Sequence, residues 1–158
     1  MSNGVLLFYK AAVCCGIAGF AAYDCRYRRV PDRALLFFVP AAALSPLLHA
    51  CPFWNPPMLA LYFLYSLTGS AMGFLILLAA GLTSPTGQGI GGGDIKLAAV
   101  MGFIYGPNGM IRLLLIAAGL AALWSLIISR KLQGQPFSLP FVPFLAAGSL
   151  AVTAASLL

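Results

Sequence analysis

The chain has 158 residues, 61% of them hydrophobic and 8% charged, with a mean hydropathy of +0.97. A soluble domain carries about 25% charged residues, so the composition excludes a water-soluble enzyme or binding module and specifies an integral membrane protein. The formal charge of +6 comes from nine Lys and Arg against three acidic residues; the basic residues lie mostly between apolar runs, where they orient a membrane chain, and no nucleic-acid partner is expected.

A spanning helix needs about 20 apolar residues. The first such run, 5–22, is followed rather than preceded by its positive cluster, the wrong flank for a signal peptide, so it is expected to persist as a helix closed by Asp24. Arg26, Arg28, Arg29 and Arg33 fill the next loop, and Asp32 directly precedes the second run, 34–50, as a candidate helix cap. His49, the single histidine, falls near the far end of that run and reads as a structural or interfacial residue. The third run, 58–82, contains Gly69-Ser70-Ala71-Met72-Gly73, a spacing that lets helices approach closely, here within the bundle.

A glycine-rich loop, 83–93, leads to a short fourth segment, 94–105, opened by Asp94. Gly106-Pro107-Asn108-Gly109 is a strong turn signal. Runs 110–129 and 137–157 complete the chain, with Arg130 and Lys131 between them and Pro136, Pro140 and Pro143 disturbing the start of the last. The expected fold is all-α, about six transmembrane helices in a single domain, with no separate soluble or methyltransferase domain.

The positive-inside rule places the Arg-rich loop, the glycine loop and the Arg130-Lys131 loop in the cytoplasm and both termini outside. Asp24 and Asp94 then share one membrane face. Twelve helical residues in 94–105 rise about 18 Å against a hydrocarbon core of about 30 Å, so unless the helix extends past the turn one end stops inside the bilayer. If that is the inner end, the glycine loop dips inward and Asp94 lies below the surface, where irregular backbone requires cover by protein or a water cavity.

Carboxylates are costly near hydrocarbon and mark functional positions. Three consecutive glycines, Gly91-Gly92-Gly93, before Asp94 allow another helix or a substrate backbone to come close; the bland alternative is an Asp cap at the end of a loop. Two carboxylates are enough for aspartyl-type hydrolysis. Asp94, opening a helix, sits where the dipole favours negative charge; Asp24, closing one, sits where it does not, which suggests Asp94 as base and Asp24 as acid. A second reading of the same pair is a small ion- or proton-coupled transporter. Gly87-Gln88-Gly89-Ile90-Gly91-Gly92 fits a dinucleotide fingerprint but lacks the strand and βαβ unit that motif requires. Cys14, Cys15, Cys25 and Cys51 form no C-x-x-C pair and read as packing residues, not a metal site.

Three segments together resemble the type IV prepilin leader peptidases, membrane aspartyl proteases of the GxGD type. Tyr23-Asp24-Cys25-Arg26-Tyr27-Arg28-Arg29-Val30-Pro31-Asp32 is similar to the family's first-aspartate segment, with Asp32 where an Asn is usual. Gly91 to Lys96 matches GxGDxK, continuing into Leu97-Ala98-Ala99, and Pro140-Phe141-Val142-Pro143-Phe144-Leu145 is similar to the start of the family's last helix. The resemblance implies that Asp24 and Asp94 are the catalytic pair and that a prepilin leader is cut at the cytoplasmic face of a bacterial or archaeal inner membrane, just after a glycine. It implies no cofactor. Gly91 and Gly93 would shape the site, and Lys96 would either snorkel to the interface or contact substrate or loop. Without paired C-x-x-C motifs, the chain resembles the short, peptidase-only form of tight-adherence pilus systems.

Overall fold

The computed structural model describes residues 2–28, 30–50, 56–83, 91–132 and 140–156. They form five helices in chain order: α1 (Ser2–Tyr27), α2 (Asp32–Ala50), α3 (Pro56–Leu82), α4 (Gly92–Leu132) and α5 (Val142–Ala155). Four are long and apolar enough to cross a membrane, and α5 is a shorter apolar helix of 14 residues. The protein is an all-α, multi-pass membrane protein. Large apolar side chains such as Phe8, Phe37 and Leu115 face outward, as they do where lipid replaces water.

Three element boundaries differ from expectation for identifiable reasons. The first helix continues past the apolar run to Tyr27. The Tyr23 and Tyr27 rings lie 4.6 Å apart and the Arg26 guanidinium sits over Tyr27, an arrangement suited to a membrane interface. Falling hydropathy marks the membrane edge here, not the helix end, so Asp24 lies inside the last turn of α1. The last helix starts at Val142, with Pro143 in its first turn; residues 133–139, including Pro136, are outside the described residues.

The largest difference is in α4. The expected fourth and fifth segments form one 41-residue element broken at Gly106, whose φ of 66° and ψ of 177° belong to a region essentially only glycine enters. Pro107 then starts the second arm, 107–132, at a position where its missing N–H costs nothing. The expected turn is thus compressed into a single non-helical residue. Beyond it the chain doubles back. Tyr105 reaches Thr153 near the end of α5, while Leu113 lies against Gly148 in its middle. The Met110 methyl likewise returns to Gly73, the same glycine that meets the Ala98 carbonyl of the first arm, 92–105.

Glycine lets α3 and the first arm of α4 touch backbone to backbone. A Cβ at Gly102 would collide with the Gly69 carbonyl, and one at Gly69 with the backbone of Gly102 and Gly106. The Gly69–Gly73 element is therefore an internal packing face. Ile17, Leu97, Met101, Met110, Leu113, Val142 and Leu145 fill the core between α1, α4 and α5. Cys14 is buried there, but Cys15 and Cys25 are exposed, so these two do not pack into the core as expected; Cys51 lies outside the described residues. His49 donates through Nδ1 to the Ser45 carbonyl at 2.8 Å, a bond within α2.

Candidate active site

Asp24 and Asp94 enter one site from different helices. Asp24 is 4% exposed, and its Oδ2 has no hydrogen-bond partner among the described residues. Asp94 is half-buried and lies within electrostatic reach of Asp24. The aspartates, distant in sequence, come within electrostatic reach because α1 runs to the same end of the bundle from which α4 starts.

The glycine run acts differently at each position. Asp94 is not the cap of its helix. Gly91 holds that place: its carbonyl accepts from the Asp94 amide at 2.9 Å and the Ile95 amide at 3.3 Å. Asp94 is the third helical residue, and the Gly91 N–H faces back onto its carboxyl, as in a capping box. Gly93 faces the connector between α1 and α2. A Cβ there would stand 2.7 Å from the Cβ of Val30, so glycine is required for the connector to lie on the first turn of α4. Residues 84–90, with most of the glycine loop and the dinucleotide-like pattern, lie outside the described residues.

Asp24 has two surroundings that its place in sequence does not reveal. Its carbonyl accepts the Arg28 amide at 2.8 Å, and Arg28 ends α1 with φ 51°, the left-handed conformation common after a helix C-terminus. Its carboxyl faces the backbone N–H of Val142, the first residue of α5, and the Arg28 side chain. The N-terminus of α5 has no side-chain cap. Asp24 thus stands at the end of one helix and before the beginning of another. The contrast of helix ends between Asp24 and Asp94 is narrower than the sequence implied, because each carboxyl also faces a helix N-terminal N–H.

Asp32 and Lys96 also change roles. Asp32 is the first residue of α2 rather than a residue preceding it, and the Leu35 amide bonds to the Pro31 carbonyl at 3.1 Å. The Asp32 side chain accepts a hydrogen bond from Lys96 Nζ at 2.8 Å, in the only ion pair among the described residues. Lys96 therefore turns to the connector instead of extending freely to the interface.

Residues 11–126 match the Type IV leader peptidase family. The chain belongs to that family. The match includes Asp24, Asp32, Gly91, Gly93, Asp94 and Lys96 but ends before α5. A prepilin leader peptidase/N-methyltransferase of Bacillus subtilis (strain 168) is 35% identical over 133 residues, 82% of this chain and 48% of the relative. The chain thus spans about half the length of that family relative. No solved structure matches it.

Within this leader peptidase fold, the structure gathers all five sequence-selected residues, Asp24, Asp94, Gly91, Gly93 and Lys96, around one end of α4. Val30 and Val142 were missed. The sequence signal for Val142 was the Pro140-Pro143 pair, which marks a helix start without saying what that start faces. Val30 carried no signal: an apolar residue in a basic connector is ordinary, and its role depends on the missing side chain of Gly93. Chemically, a buried carboxyl with a free oxygen beside a second carboxyl can hold a proton, orient a water and protonate a leaving group.

Proposed function

We propose that the protein is a membrane-embedded aspartic endopeptidase that removes the leader peptide of prepilin-like proteins at the cytoplasmic face of the inner membrane. The observation that carries this is the buried Asp24 carboxyl, one oxygen unpartnered among the described residues, within electrostatic reach of Asp94 and inside the residues matched to the leader peptidase family. Buried polar atoms normally have partners; the free oxygen is where a water or a substrate group completes the set.

In this reading the two carboxyls share one proton, as close carboxylates do. The ionised partner takes a proton from water as the water attacks the scissile carbonyl, and the protonated partner delivers its proton to the leaving amine. No metal or cofactor enters. Because both carboxyls face a helix N-terminal N–H, base and acid roles are properties of the pair. Gly91 and Gly93 keep the approach to Asp94 open. Counting each arm of α4 as a crossing gives six segments, both termini outside, and the pair on the cytoplasmic side with the Arg cluster. The partners are a prepilin-like substrate and the lipid bilayer. The proposal covers only the peptidase part of the relative's name. Membership of a leader peptidase family favours hydrolysis over the ion- or proton-coupled transport that the same aspartates would otherwise allow.

The test is co-expression with a prepilin and detection of leader removal by gel shift. Wild type cleaves; Asp24→Ala and Asp94→Ala insert normally in the membrane and do not. Cleavage surviving either substitution overturns the dyad.

A further inference from the structure

Between α1 and α2 the chain leaves helical structure only briefly, yet this connector fixes where Asp24 stands relative to Asp94. It is held at three points. Arg28 closes α1 in a left-handed conformation, Val30 lies on Gly93, and Asp32 at the start of α2 pairs with Lys96 at 2.8 Å. Gly93 and Lys96 flank Asp94 in the first turns of α4. Two of the three points thus tie the chain that follows Asp24 directly to the helix that carries Asp94.

The choice of partner is informative. Asp32 stands in a stretch rich in arginine, with Arg33 next to it and Arg28 shortly before. It bonds instead to Lys96, 64 positions away. Lys96 is the only basic residue in the first arm of α4. Its side chain is 56% exposed and that of Asp32 71%, so the pair lies outside the buried site and touches neither aspartate's carboxyl. A lysine serving only as an interfacial anchor has no need of a carboxylate on another helix.

We propose that Lys96 and Asp32 form a latch that holds the α1–α2 connector on α4 and so keeps Asp24 opposite Asp94. Both are positioning residues, and the inference rests on the peptidase reading for its consequence in catalysis. An exposed pair is weak, so losing it lowers turnover by about fivefold at most. The loss falls on kcat, because the latch aligns reacting groups and does not hold substrate. If Lys96 contacted substrate directly, its loss would raise KM and the effect would not depend on Asp32.

The experiment compares prepilin cleavage by wild type, Lys96→Met, Asp32→Asn, Lys96→Arg and the exchange Asp32→Lys with Lys96→Asp. Each neutralising change is expected to lower kcat by about fivefold with KM within about twofold, Lys96→Arg to stay within about twofold of wild type, and the exchange to recover most of the loss. An exchange no better than the single changes, or a loss confined to KM, overturns the latch. A second measurement does not require activity. In membrane vesicles with the cytoplasmic face outward, an arginine-specific protease should cut the connector at Arg28 faster in Lys96→Met and Asp32→Asn than in wild type, with the exchange restoring protection. Equal rates in all of these overturn the latch. If wild type cleaves no prepilin, or Asp24→Ala remains active, the peptidase reading fails and protease protection alone decides the latch.

Discussion

Two polar clusters lie where α1, the first arm of α4 and α5 pack together, one at each end of that α4 arm, and the two are built on opposite principles. At one end Cys14, Tyr105 and Thr153 satisfy one another: the Thr153 hydroxyl lies 3.0 Å from the Tyr105 hydroxyl and accepts from the Cys14 thiol at 3.5 Å. At the other end Asp24, Asp94 and the Val142 amide come from the same three helices, yet Asp24 Oδ2 is left without a partner. A satisfied buried network stiffens a fold; an unsatisfied one stores free energy that only a function or a missing partner explains. The comparison separates a structural pin from a candidate site without reference to residue type.

The strongest way to break this contrast is to remove a carboxyl. Asp24→Asn and Asp94→Asn should each lower prepilin cleavage by about a thousandfold or more, while thermal unfolding in detergent shows no loss of stability for Asp24→Asn. A large stability loss there would make Asp24 a structural residue like those of the far cluster. Next in size is Gly93→Leu, which drives a side chain into Val30. Displacing the connector should cost about a hundredfold in kcat, measured against a membrane-inserted protein of normal abundance. Unchanged turnover would show that the connector does not set the aspartate geometry.

At the far cluster the pattern should invert. Thr153→Val leaves the Tyr105 hydroxyl and Cys14 thiol without their shared partner and should lower stability by about 1–3 kcal/mol in a denaturation series. The kcat of the folded fraction should stay within about twofold of wild type, since no reacting group moves. The smallest effect is expected from chelation. EDTA in the cleavage assay should leave the rate unchanged, because in the proposed mechanism the dyad does its own acid–base chemistry; a chelator-sensitive rate restored by added metal would end that account.

Much of the site was legible because membrane chains use carboxylates sparingly. With three acidic residues in the chain, Asp24 and Asp94 stand out, and the glycines before Asp94 announce a close approach. What approaches was not legible: Val30 meeting Gly93 depends on how α1 ends, which turns on the backbone of Arg28. Asp32 looked like a cap because Asp before an apolar run usually is one; a lysine distant in sequence decided otherwise. The helix-end argument for separate acid and base roles weighed only α1 at Asp24; α5 adds an N-terminal N–H there from the other end of the chain.

The sequence by itself determined an all-α membrane protein, the locations of its apolar segments and the two carboxylates worth testing. These follow from transfer free energies and helix length, which are local properties of a chain segment. Only the tertiary structure decided that α4 doubles back at Gly106, that α5 opens toward Asp24 and that Lys96 reaches Asp32. Each depends on which backbones can touch, and that is set jointly by residues far apart in the chain.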